Sequence, residues 1–142
     1  VLFVVVAAIV IFVLVYGMRL PAMSERAMRR AVMVTGTLGL VLLAVGLYLG
    51  LVWAPTAQIM GDSYRIMYIH FPSWVGTAAG YLTAFVASVL YIRTRKYGYD
   101  YVAVAGAEIG LLFNVVGLIT GALWGRPTWG VYWTWDPRLT TT

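Results

Sequence analysis

Three long apolar stretches divide the chain, with polar residues gathered between them. Residues 31–53 and 71–92 carry no charged side chain, and residues 101–124 carry only Glu108. A bilayer core about 30 Å thick takes roughly 20 apolar residues of helix to cross, so each stretch predicts one complete transmembrane helix. Residues 1–16 are equally apolar but shorter, and predict a partial or additional span. Because residue 1 is valine, this run reads either as a longer helix entered partway or as a start codon translated as valine. A cleaved signal peptide fits poorly, since no basic segment precedes the run and no small-residue cleavage site follows it. The pattern predicts an all-α integral membrane protein, a polytopic helical bundle. It falls into an extra N-terminal helix with a basic linker over residues 1–30 and a membrane domain over residues 31–142.

Small residues recur on one face of each span. Gly39, Gly46 and Gly50 share a face of the first; Gly76, Gly80, Ala84 and Ala87 one of the second; Gly106, Gly110, Gly117 and Gly121 one of the third. At 100° per residue each set stays within a quadrant. Such faces let helix backbones approach in lipid, where the hydrophobic effect does not pull helices together. A compact bundle is the expectation.

Composition agrees: 62% of residues are hydrophobic and 11% charged, which excludes an ordinary soluble domain. The few charges are unevenly placed. Arg19, Arg26, Arg29 and Arg30 lie before the first complete span, and Arg93, Arg95 and Lys96 lie between the second and third. Only Arg65, Arg126 and Arg138 lie in the two alternate connections, so seven basic residues face three across the membrane. Basic loops stay cytoplasmic, which turns residues 54–70 and the segment after residue 124 outward. The net charge of +5 then reflects orientation and attraction to the anionic bilayer surface, and no basic stripe suggests a nucleic acid partner.

Two polar residues sit inside the third span. Glu108 at membrane depth either marks a pathway or partner, or is protonated or snorkels toward the basic residues 93–96. Asn114, near the glycine face, is expected to hydrogen-bond between helices.

The outward connections carry more specific chemistry. GDSYRIMYIHFPSW, residues 61–74, holds the single histidine, His70. Pro72 is expected in the first turn of the second span, where its missing N–H costs nothing. That would place His70 at the mouth of the span, near the depth of the tryptophans. It is then an interfacial anchor or a metal ligand. Farther on, WGRPTWGVYWTWDPRL, residues 124–139, holds four of the six tryptophans within twelve positions. Indoles favour membrane interfaces in general, but an aromatic belt scatters them around a bundle. Here Trp124, Trp129, Trp133 and Trp135 are interleaved with glycines and Tyr132 and closed by Asp136 and Arg138, predicting a broad flat apolar loop. Such a surface suits a large planar ligand with anionic edges, of which haem is the commonest. Its iron would take an imidazole, and Arg126, Arg138 or Arg65 would pair with its propionates.

WGVYWTWDPRLT resembles the tryptophan-rich "WWD" signature of haem-handling proteins in cytochrome c biogenesis, and GDSYRIMYIHFPSW resembles the histidine-bearing external loop of one branch, the cytochrome c maturation protein C or haem exporter protein C family. The resemblance covers roughly residues 33–140. Sibling families continue WDP with a glutamate-containing segment, whereas Arg138, Leu139 and Thr140 follow the C branch. The resemblance implies a six-span core in which two external histidines ligate haem b and the tryptophan loop holds the porphyrin. His70 matches the first histidine and the iron ligand. The loop residues Trp124, Arg126, Trp129, Tyr132, Trp133, Trp135, Asp136 and Arg138 would hold the cofactor. The second histidine has no counterpart before Thr142. The opening helix resembles in form the small single-span subunit, maturation protein D (CcmD).

The family's implied task is to present haem at the periplasmic face of the bacterial inner membrane. With the ATP-binding cassette subunits CcmA and CcmB, it loads haem onto the haem chaperone CcmE. The chain has no cysteine, hence no CxxCH of its own, and no hydrolase-like nucleophile and base. Haem transfer rather than conventional catalysis is the expectation. Two other readings are a transporter or channel subunit lined by Glu108 and Asn114, and an assembly subunit that recruits a soluble partner. A protein that purifies red, with a Soret band, would separate the first reading from these.

Overall fold

A computed structural model describes residues 23–140 together with Val10, Ile11, Val13 and Val15; the side chains of Arg138 and Leu139 lie outside the described set. Most of the opening run, residues 1–16, also lies outside it. Of that run, Val10 is buried against Ala79.

Helix α1 spans Glu25–Tyr48 and runs on through a π turn, Leu49–Trp53. The Ser24 hydroxyl accepts a long 3.4 Å hydrogen bond from the Ala27 amide, and Glu25 sits in the first turn, where a carboxylate complements the helix dipole. After a connection that ends in the 3₁₀ turn Asp62–Ile66, α2 runs over Met67–Thr94 and α3 over Tyr97–Trp129, followed by the single turn α4, Pro137–Thr140. All three long helices are long and apolar enough to cross a membrane. The chain is an all-α, multi-pass membrane protein.

The predicted spans are found, but the helices overrun their apolar limits. Pro72 does not open α2; it lies inside the helix, at the sixth residue. The 3₁₀ turn already leads the chain into helical geometry, and a proline so near the outer end leaves only the Tyr68 carbonyl without its usual donor. Between α2 and α3 the predicted loop 93–100 shrinks to Arg95 and Lys96. Arg95 takes a left-handed conformation (φ 55°), and its amide closes on the Tyr91 carbonyl at 2.8 Å.

So tight a turn forces α2 and α3 to run antiparallel, and their glycine faces meet as expected. A Cβ on Gly80 would stand 2.6 Å from the Gly110 backbone, and one on Gly106 would stand 3.0 Å from the Ala84 amide nitrogen and the Gly80 carbonyl oxygen. Here the two helices touch backbone to backbone. Farther out the groove widens to admit side chains: Gly76 faces Phe113, Gly117 faces Trp74, and Gly121 faces His70.

The first span behaves differently. A Cβ on Gly39 or Gly46 would meet nothing within 4 Å, and only Gly50 packs closely, against Tyr68. Arg65 ties the end of this span to the start of the next: its guanidinium donates to the Ala54 carbonyl at 3.1 Å and pairs with Asp62 at 3.2 Å. Asn114 does not form the interhelical bond predicted for it; its side-chain oxygen is buried without a partner. Glu108 lies on α3 two residues from both Gly106 and Gly110, hence on the face turned away from α2. It is exposed, and among the described residues it makes no ion pair.

Candidate functional site

His70 is not at the mouth of α2 but one turn inside it, pressed into the groove of α3. Its Nδ1 lies 3.0 Å from the Gly117 carbonyl oxygen and 3.2 Å from the Thr120 hydroxyl. A carbonyl can only accept, so Nδ1 carries the proton. Thr120 donates its own hydrogen to the Val116 carbonyl at 2.7 Å, which leaves its oxygen free to accept as well. Nε2 is therefore the unprotonated nitrogen, and it accepts from the Trp74 indole N–H at 3.1 Å. The two rings meet edge-on, with centroids 6.0 Å apart and an 82° interplanar angle. Gly121 makes the fit possible, because a Cβ there would stand 2.9 Å from the His70 Cε1.

Trp74, Thr120, Gly117 and Gly121 were not among the predicted site residues. The i, i+4 spacing of His70 and Trp74 was the signal for one of them. The others lie 47 and more residues away, and only the helix pairing brings them in.

The tryptophan segment is not a single flat loop. Trp124 and Trp129 belong to α3, which continues past its apolar limit with Pro127 inside it. The helix stops where Gly130 turns left-handed (φ 81°) and its amide bonds the Arg126 carbonyl at 2.9 Å. The chain then doubles back, bringing the Val131 carbonyl to within 3.3 Å of where a Gly125 Cβ would lie. The indoles pair edge to face, Trp124 with Trp129 at 5.6 Å and Trp133 with Trp135 at 5.8 Å, both at 82°. Perpendicular rings do not form the flat sheet predicted. They make two ridged pairs, one on the helix and one beyond it, and crowding of consecutive large rings favours this quadrupole-matched geometry.

The Arg126 guanidinium stacks 4.7 Å above the Tyr132 ring. Trp124 Nε1 is buried with no partner. Trp135 is the most exposed indole of the segment, at 82%. The Asp136 carboxylate accepts from Thr134 at 3.4 Å, and its backbone carbonyl caps α4 through the Thr140 amide and hydroxyl. Arg138 belongs to α4, and its side chain lies outside the described residues. Arg65 donates to Ala54 and pairs with Asp62, while its Nε is buried without a hydrogen-bond partner.

The two halves of the predicted site are offset in depth. His70 packs at the level of Gly117 to Gly121, while Trp129 lies eight residues farther along α3, about 12 Å by helical rise. Of the two indoles on α3, Trp124 is the nearer to that level. Elsewhere among the described residues lies an apolar groove of about 800 Å³, lined by residues such as Val75, Ala79, Val102, Ile109 and Phe113. Its lining is apolar apart from Thr83 and Tyr101, and His70 is not part of it.

A family model described as heme exporter protein C matches residues 14–142. The chain belongs to the heme exporter protein C family. The heme exporter protein C of Haemophilus influenzae is 42% identical over 103 residues, covering 72% of this chain and 42% of its own. That of Escherichia coli is 37% identical over 101 residues, covering 71% and 41%. A cytochrome c biosynthesis ccmC-like mitochondrial protein of Marchantia polymorpha is 37% identical over 100 residues, covering 70% and 44%. The chain thus spans less than half the length of these relatives. No solved structure matches it. For this family member the residues present fit haem in one respect: with Nδ1–H held by the Gly117 carbonyl, Nε2 keeps the lone pair that a metal takes, here turned to the Trp74 indole N–H.

Proposed function

We propose that this chain is part of a haem-handling membrane protein of cytochrome c biogenesis, which holds haem b at the outer face of the inner membrane and passes it to the haem chaperone CcmE. The ATP-binding cassette subunits CcmA and CcmB and the small subunit CcmD are its partners in that task. The observation that carries the reading is His70, whose Nδ1–H is pinned by the Gly117 carbonyl so that Nε2 is the ligand atom. A backbone carbonyl behind a ligating histidine fixes the ring and raises its basicity.

The other residues supply the surroundings of a porphyrin. Trp124, Trp129, Tyr132, Trp133 and Trp135 offer aromatic faces and edges along one side of it. Trp124 contributes an indole N–H that has no partner, and Arg126 offers a cation for a propionate. Bound haem would supply an iron that accepts the imidazole lone pair. Arg138 and Asp136 close the same segment. The basic residues 93–96 at the opposite end of the hairpin favour the orientation with this site outside.

Replacing His70 with alanine in the haem-loaded chain is the test. The low-spin spectrum of an imidazole-ligated haem should give way to a spectrum lacking that ligand, and added imidazole should restore it. Free imidazole cannot repair packing, so the rescue separates a lost ligand from a misfolded bundle. A parental spectrum in His70→Ala would sink the assignment. Orientation is tested separately with cysteines at Ile59, which is 96% exposed, and Tyr97, which is 70% exposed. Only the first should react with an impermeant thiol reagent applied outside.

A further inference from the structure

Both nitrogens of His70 are engaged, and each partner permits only one direction of bonding. The Gly117 carbonyl must accept and the Trp74 indole must donate. The lone pair of Nε2, the ligand atom in the function proposed above, is therefore already in use. A single lone pair cannot accept an indole N–H and bind iron together. We infer that Trp74 is a removable cap on His70, a positioning residue whose N–H satisfies Nε2 in the haem-free protein and must release it when haem is captured. The inference rests on His70 being the iron ligand.

The two sides of the ring are held differently, which lets one let go while the other stays. On the Nδ1 side the partners belong to α3: the Gly117 backbone, the Thr120 hydroxyl, and Gly121, whose missing Cβ leaves room for Cε1. The Gly117 carbonyl and the Gly121 backbone cannot move without moving the helix. On the Nε2 side the partner is one side chain of the same helix, four residues on and only partly buried. Rotation about the Trp74 side-chain bonds breaks the contact and leaves the ring oriented. No proton has to move, since Nε2 is bare already, and no electron is transferred. One hydrogen bond is exchanged for one coordinate bond.

The cap also explains how a half-buried imidazole remains stable without its ligand. An uncapped Nε2 inside the bundle would be an unsatisfied acceptor, which is costly in a low-dielectric setting. Holding it with an indole keeps the ring ordered and blocks water or a stray metal from the same atom.

The test uses these 142 residues in lipid nanodiscs, with Trp74→Phe and with an isosteric benzothienylalanine at position 74, which keeps the bicyclic shape and lacks the N–H. Because His70 is the single histidine, ¹⁵N-histidine labelling gives one pair of ring signals. In the haem-free variants the Nε2 signal should move toward that of an unbonded acceptor while Nδ1 stays. Stopped-flow addition of haem should show ligation on the order of five-fold faster or tighter, the yield of one released hydrogen bond. An unmoved Nε2 signal, or ligation that is unchanged or slower in the isosteric variant, overturns the cap. Failure of the ligand assignment looks different: His70→Ala would then keep the parental haem spectrum, whatever Trp74 does. Where Trp74→Phe misfolds, the isosteric variant decides.

Discussion

The α2–α3 hairpin and the α1 span carry the same kind of sequence and reach opposite outcomes. Both place glycines at intervals of four and seven on one helical face. In the hairpin those faces close until backbone meets backbone at Gly80, Gly106 and Gly110. In α1, Gly36, Gly39 and Gly46 look into open space, and no residue of Glu25–Tyr48 is buried. A small-residue face states that a helix can be approached; it does not name what approaches. For α2 and α3 the two-residue turn at Arg95 and Lys96 answers that question, because it leaves the helices no alternative to each other. The connection between α1 and α2 is longer, and the Arg65 clamp fixes only its ends.

The sharpest break of this contrast is Gly80→Ala. A methyl group 2.6 Å from the Gly110 backbone cannot be accommodated by a side-chain rotation, so the helices must part. A loss of about 3 kcal/mol is expected, read as a fall in unfolding temperature in detergent. Next is Arg65→Ala, which removes the donor to the Ala54 carbonyl and should cost about 1–2 kcal/mol by the same measurement. Asp62→Asn should change little, since the Asp62 side chain is 80% exposed and water screens the pair. Gly121→Ala should cost about 1 kcal/mol, with a shift in the His70 Nδ1 resonance as the ring is pushed off the Gly117 carbonyl. The smallest effect belongs to Gly39→Ala. Open space and helix propensity together predict no loss and a gain of at most about 1 kcal/mol. A clear loss there would show that the α1 face is occupied in the folded protein.

The helices were legible because membrane length and hydropathy leave few choices. That the glycine faces of α2 and α3 could be approached was legible in their spacing, though the same spacing in α1 did not single out which faces would meet, and the histidine was legible in its being single. Three things were not. Helix ends escaped because Pro72 and Pro127 sit close enough to the termini for the helix to absorb a missing donor. The partners of His70 escaped because hydrogen bonds spanning 47 and 50 residues exist only once two faces are in register. The flatness expected of the tryptophan segment failed because sequence shows that indoles are near one another, not the angle between their rings. Residue types named the chemistry, and the packed backbone chose its geometry.

Pro72 has a consequence for local opening. Its nitrogen stands where a donor to the Tyr68 carbonyl would otherwise be, so the outermost turns of α2, which carry His70, hold one ladder bond fewer than the rest. Below them the helix is fixed at Gly80, where backbone lies on backbone. The outer end of α2 can therefore fray as a unit while the lower half stays shut. In amide hydrogen exchange the residues around 66–71 should exchange before those around 77–87, so that the histidine rides on a segment with its own, lower opening energy.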